Sequence, residues 1–97
     1  MGNLRKEYIE ELITVFSRAA SDRRLLHDFL KDILTPAELK EIALRWQIVK
    51  QLNREVPHWD IVKNLKVAVA TVGRGARMLL NEEGGFNRIL KHYYSRG

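Results

Sequence analysis

The chain predicts an all-α fold of six helices and no strands. Two observations carry that expectation. Apolar residues recur every three or four positions in segment after segment, the spacing that puts them on one face of a helix. Between those segments stand helix start and stop signals: Thr35-Pro36-Ala37-Glu38, Pro57 and Gly84-Gly85.

The first helix is expected from residue 4 to about residue 20. Tyr8, Ile9, Leu12, Ile13, Phe16, Ala19 and Ala20 form a wide apolar stripe, and Val15 widens it further. The second runs from about residue 22 to 33 with Ser21 as N-cap, and Leu25, Leu26, Phe29, Leu30 and Ile33 make its buried face. The third has the clearest start. Thr35 is the N-cap, Pro36 takes the first helical position, where its missing N–H is no loss, and Glu38 completes a capping box. Leu39, Ile42, Ala43, Trp46, Val49 and Leu52 then repeat at helical spacing to about residue 54. Pro57 ends that helix or opens the fourth, which spans about residues 58–65. The fifth covers about residues 68–81. After Gly84-Gly85 a last helix places Phe86, Ile89, Leu90, Tyr93 and Tyr94 on one face. Trp46 is read as core, with the border or filling of a ligand cavity as its alternative, Trp59 as core, with a surface or DNA-side place as its alternative, and Val67, Val69 and Val72 as partly core.

Ninety-seven residues make one domain, 1–97, with a modest core if the chain folds alone. The first two helices carry more apolar surface than two neighbours in a small monomer would cover. An intertwined homodimer would bury it.

The net charge is +5, and it is unevenly placed. Acids and bases balance through residue 33, so the whole excess lies beyond it, a distribution that suits a polyanion. Zero cysteines exclude disulfides, thiolate metal sites and cysteine nucleophiles. Apolar runs are far shorter than a membrane span, and the start of the chain has no apolar signal core, so the expected location is cytoplasmic, with no membrane partner. The three histidines, His27, His58 and His92, stand far apart and form no metal-binding pair, so no metal is expected. No nucleophile stands beside a base, and the acidic pairs Glu10-Glu11 and Glu82-Glu83 look like solvated faces, so an enzyme is not expected. Gly73-Arg74-Gly75 follows no strand and lacks the further glycines of a nucleotide loop.

The segment 61–80, IVKNLKVAVATVGRGARMLL, is the most informative. It reads as two short helices at a tight turn, a helix-turn-helix over about residues 58–81. Lys63, Lys66, Arg74 and Arg77 fall within residues 61–80 without one acid. Small side chains at the start of the second helix fit a DNA major groove. Ala68, Val69, Ala70 and Thr71 would face bases, while His58, Lys63, Lys66 and Arg77 would hold phosphates and make binding salt-dependent. Helix-turn-helix proteins commonly dimerise on paired half-sites, which again favours a homodimer.

Residues 34–78 resemble the Trp repressor family. The likeness rests on Leu34-Thr35-Pro36, on Arg45 followed by Ile48-Val49, and on Ala70-Thr71-Val72-Gly73-Arg74-Gly75. It implies an interlocked helical homodimer that binds a double-stranded operator and answers to L-tryptophan as corepressor, with no other cofactor. In the family two arginines sandwich the indole and one binds its carboxylate. The positions here are Arg45 and Arg74, with Leu34 and Thr35 near the pocket edge and Gly75 letting the ring approach the backbone. A guanidinium can stack on an aromatic face and pair a carboxylate bidentately.

Three positions depart from the pattern, and the link between Leu52 and Val56 is one residue shorter than in the family. The serine that helps hold the ligand's amino group falls at Met78. The threonine before the arginine is Gly73, which removes a phosphate-contacting hydroxyl. The tight-turn glycine is Lys66, which must then adopt a left-handed conformation. These departures keep open a regulator of the same fold with another effector or none. A helical protein-interaction module that binds an acidic partner through its basic helix is a further alternative. The plainer readings of the two arginines are an Arg45–Glu41 pair on one helix face and a phosphate contact by Arg74.

Overall fold

A computed structural model describes residues 2–93, with side chains over residues 5–92. Among the described residues there are six helices and no strand: α1 (Gly2–Ala19), α2 (Arg23–Ile33), α3 (Pro36–Asn53), α4 (His58–Leu65), α5 (Val69–Met78) and α6 (Gly85–Tyr93). The chain forms two compact units, Met1–Leu39 and Lys40–Gly97.

In the first unit α1 and α2 meet through an edge-to-face pair, Phe16 and Phe29, with ring centres 5.2 Å apart. Such pairs add to simple area burial because the positive edge of one ring meets the negative face of the other. The N-cap of α2 is Asp22 rather than Ser21. Asp22 Oδ1 accepts from the backbone N–H groups of Arg24 (3.1 Å) and Leu25 (3.2 Å). Ser21 instead donates its hydroxyl to the Arg18 carbonyl at 2.8 Å, closing the end of α1. Both residue types cap well, and backbone geometry chooses between them.

The apolar face expected to be buried on α2 is not: no residue of α2 is buried, and Leu25 and Ile33 are exposed. The stripe of α1 is also largely open, with Tyr8, Ile9, Leu12 and Ile13 exposed and only Ala19 buried.

The capping box of α3 forms as the sequence dictates. Glu38 N–H donates to Thr35 Oγ1 (3.1 Å), and Thr35 N–H donates to Glu38 Oε1 (2.9 Å). The Thr35 backbone N–H first, and its hydroxyl second, hold the Glu38 carboxyl below its ordinary value of 4.5. A lowered carboxyl pKa stabilises the fold at pH above the unfolded value, and that contribution disappears as pH falls through the folded value. Thr35→Ala is expected to cost about 1 kcal/mol. Most of that deficit should persist below pH 4.5, because the lost bond from Glu38 N–H to Thr35 Oγ1 does not titrate and only the hydroxyl's lesser share in holding the carboxylate disappears in acid. Thermal melts at neutral and acidic pH check both points, and a deficit that vanishes in acid would contradict the bond from Glu38 N–H to the Thr35 hydroxyl.

The second unit is built around Ile48 of α3, Ile61 of α4 and Val72 of α5, ringed by Leu52, Val56, Val62, Leu65 and Val67. Ile61 and Val72 are 0% exposed. Val49 and Leu90 are buried as well. The packed face of α3 therefore carries Ile48 and Val49, while Ile42 and Ala43, expected on it, are exposed. Trp59, expected in the core, is 66% exposed, and Val69 is also exposed. Trp46 is half-buried against Phe86, with ring centres 6.4 Å apart.

Two left-handed residues shape the turns. Glu55 (φ 63°) follows α3, where Glu55 N–H donates to the Leu52 carbonyl (2.9 Å) and Val56 N–H to the Gln51 carbonyl (3.1 Å). This is the bond pair of a Schellman motif, and it turns Val56 inward onto the core. Lys66 (φ 55°, ψ 49°) ends α4 as the turn requires, and the following Val67 N–H donates to the Val62 carbonyl at 3.3 Å. A side chain in this conformation costs roughly 1–2 kcal/mol that glycine avoids. Lys66→Gly should raise stability by about 1 kcal/mol in thermal or urea unfolding. Unchanged stability would mean that the lysine side chain offsets the strain.

Pro57 opens α4 rather than ending α3. Its carbonyl accepts from Asp60 N–H (3.0 Å) and Ile61 N–H (3.1 Å). Helix α5 stops at Met78, three residues short of the expected end. The cause is distant in sequence. Asn87 of α6 donates its amide to the carbonyls of Leu79 (2.9 Å) and Asn81 (2.8 Å), fixing a turn there. Gly84 suits that turn because a Cβ would stand 3.0 Å from the Asn81 carbonyl oxygen. Of the expected apolar face of α6, Phe86 is half-buried, Leu90 is buried and Ile89 is exposed. The Tyr93 side chain and Tyr94 lie outside the described residues.

Candidate ligand pocket and nucleic-acid interface

Packing of α5 onto the second half of α3 leaves a cavity of about 140 Å³. Ile48 and Val49 line it from α3, and Thr71, Gly75 and Met78 from α5. Phe86 of α6 adds an aromatic wall. Two guanidinium-bearing residues join these apolar walls, Arg45 from α3 and Arg74 from α5. An apolar slot with two cations suits a planar apolar anion, since the walls take the ring and a guanidinium takes the carboxylate.

Arg45 serves two settings at once. It lines the slot, and its Nη2 donates to Glu41 Oε1 one turn earlier at 2.6 Å, with both side chains substantially exposed. The local ion pair expected as the plainer reading therefore forms beside the pocket. An exposed pair of this kind is weak, on the order of 0.3–0.5 kcal/mol, so an incoming carboxylate can compete for Arg45 at little cost. Arg74 is exposed and takes part in no ion pair among the described residues.

Four of the six residues expected around a ligand meet here: Arg45, Arg74, Gly75 and Met78. Leu34 and Thr35 belong to the first unit, where Leu34 is the C-cap of α2 and Thr35 caps α3. Gly75 has a packing reason that the sequence alone did not reveal. A Cβ there would stand 3.0 Å from Ile48 Cγ2 and 3.4 Å from Leu52 Cδ1, so its bareness lets α5 approach α3. Phe86, Ile48 and Val49 are pocket residues that the sequence reading did not assign. Ile48 and Val49 stood in the motif beside Arg45, whereas no local signal brings Phe86 to the slot.

A larger open groove of about 800 Å³ adjoins the slot and shares Met78 and Phe86 with it. Trp46, Ile89 and Arg77 also line it. Size alone would favour the groove, but it holds one guanidinium where the slot holds two. Met78, flexible and half-exposed, stands between them.

The residues expected to meet DNA are open to solvent. His58, Lys63 and Lys66 of α4 and its turn are exposed, as are Ala68, Val69, Ala70 and Thr71 at the start of α5 and Arg77 near its end. Gly73 is half-buried, and a Cβ there would find only Arg77 Nη1, at 3.9 Å. Ala68 caps α5 through its backbone alone, its carbonyl accepting from Thr71 N–H at 3.0 Å. Thr71 stands at both places, on the exposed start of α5 and on the slot. Among the described residues no helix is long and apolar enough to cross a membrane.

The family model for the Trp repressor protein matches residues 8–94. The chain belongs to the Trp repressor family. Three relatives illustrate the range of similarity, each called a Trp operon repressor homolog. That of Actinobacillus succinogenes is 40% identical over 73 residues, 74% of this chain and 67% of the relative. That of Mannheimia succiniciproducens is 45% identical over 53 residues, 54% of this chain and 52% of the relative. That of Haemophilus influenzae is 31% identical over 77 residues, 78% of this chain and 76% of the relative. No solved structure matches. Membership makes this chain a repressor-type regulator, of a family that is regulatory and not enzymatic.

Proposed function

We propose that this protein is a homodimeric transcriptional repressor that binds a double-stranded operator and is tuned by a small aromatic effector, L-tryptophan first, held by Arg45 and Arg74. One observation carries the reading: the two arginines line a single slot whose other wall is the helix that presents Ala68–Thr71 to solvent. A ligand wedged between α3 and α5 would favour one tilt of α5 over another. It then raises operator affinity only as far as it prefers the DNA-competent tilt. Thr71, on both surfaces, couples them.

The exposed apolar side chains of α1 and α2 support dimerisation, since a second copy would take them out of water. In this reading residues 1–97 act as one domain, completed by the partner copy and working in the cytoplasm. The roles of Leu34 and Thr35 at the pocket edge rest on the family resemblance.

Titration calorimetry with L-tryptophan, with tyrosine, phenylalanine and indole as controls, tests the effector. Saturable binding near one ligand per chain is expected. No heat with any of them would sink the effector reading and leave the same fold acting with another effector or none.

Two observations favour that second reading. The slot is close to the size of cavities that hold a single benzene, about 150 Å³. Met78 also offers no useful acceptor to an ammonium group. An indole therefore fits only with Met78 turned toward the groove. Met78→Ala should tighten tryptophan binding several-fold, read by the same calorimetry, and weaker binding would place Met78 against the ring instead.

A further inference from the structure

We infer that Trp59 is a DNA-backbone contact, its indole lying against the sugar–phosphate strand that α4 crosses. The inference rests on the operator-binding reading above.

Trp59 is 66% exposed, an unusual state for the largest apolar side chain. It stands in the first turn of α4, whose inward face is fixed by the fully buried Ile61. Trp59 and Lys63 fall at i and i+4 on one outward side of α4, and Lys66 follows as the exposed, left-handed residue that ends the helix. All three are exposed, and His58 beside them is exposed too. The one acid of α4, Asp60, is turned about 100° from Trp59 and about 60° from Lys63.

A side of this make-up fits a chain of alternating charge and flat apolar surface. Phosphates answer the lysines, and deoxyribose faces answer the ring. The indole N–H can donate to a phosphate oxygen but cannot accept. In a helix-turn-helix the first helix crosses the backbone while the second enters the groove, which puts this side over a strand. A protein partner would have to be acidic and to present an apolar site for the ring, and no such partner chain is needed to match the charge. Because the ring carries no charge, its contribution releases no counterions. Its removal should weaken binding without changing the salt dependence.

The chain has two tryptophans, so Trp46→Phe leaves Trp59 as the sole tryptophan emitter. Titrating that variant with mixed-sequence duplex DNA at low salt should quench or shift its emission. In the otherwise wild-type chain, Trp59→Ala should lower duplex affinity about tenfold and leave the slope of log affinity against log salt unchanged. Lys63→Ala should instead reduce that slope by about 0.9. Emission and affinity both unmoved, in a protein that binds duplex DNA normally, would overturn the inference and spare the operator reading. A wild-type protein that shows no salt-dependent duplex binding at all would overturn both. A change of oligomeric state in Trp59→Ala without DNA, read by sedimentation, would reassign the ring to a protein contact and overturn the inference alone.

Discussion

Arg74→Ala is expected to weaken effector binding by about 10–100-fold, the range set by removing a charge-assisted, bidentate partner of a carboxylate. The same substitution should lower operator affinity and blunt its response to the effector, because Arg74 lies on α5, the helix proposed to meet DNA. Stability should stay within about 0.5 kcal/mol, since the side chain is exposed and buries no partner. Oligomeric state should not change. Arg74→Lys separates the two roles. An ammonium keeps the charge for a phosphate but not the flat, forked group that stacks and pairs a carboxylate. Lysine should therefore restore DNA binding better than effector binding. Calorimetry, duplex titration and sedimentation on the three proteins read this out, and a collapse to monomer in Arg74→Ala would contradict its placement.

Two glycines two residues apart on α5 should respond in opposite directions to the same change. Gly73→Ala adds a methyl to near-empty space, with only Arg77 Nη1 at 3.9 Å, and it gains helix propensity. It should stabilise by up to about 1 kcal/mol. Gly75→Ala gains the same propensity but drives its methyl to 3.0 Å from Ile48, itself 1% exposed and unable to retreat. Overpacking of a filled core typically costs about 1–3 kcal/mol, so the net effect should be a loss of up to about 2 kcal/mol. Moving α5 off α3 also reshapes the slot between Arg45 and Arg74, so effector affinity should fall in Gly75→Ala and hold in Gly73→Ala. Urea unfolding and calorimetry on both variants give the test. Equal stabilisation by the two alanines would mean that α5 does not sit on α3 as closely as described.

Local rules explain where the reading from sequence succeeded. The Thr35-Pro36-Glu38 start is three residues long, and both of its hydrogen bonds form. The left-handed Lys66 followed from the turn that the motif demands. The bounds of α4 matched because Pro57 fixes one end and that turn fixes the other. Contacts that reach beyond a single helix's own pattern explain where the reading failed. Ser21 and Asp22 are equally good caps on paper, and the closing turn of α1 took Ser21. The early end of α5 is set by Asn87, eight residues beyond the Leu79 carbonyl it holds. Trp59 carries apolar area that argues for burial, yet the inward face of so short a helix is decided by Ile61 packing against Ile48 and Val72.

Six helices, a basic helix-turn-helix and a pair of arginines are legible in the residues, because propensity, capping and charge are properties of residues and their near neighbours. That Arg45 and Arg74 share one slot, that Phe86 walls it, that Gly75 is bare for the sake of Ile48 and that Met78 separates slot from groove came from the packed chain alone. Those facts depend on how closely α5 lies on α3. That spacing is set by side-chain volumes meeting across helices, which no one-dimensional pattern records.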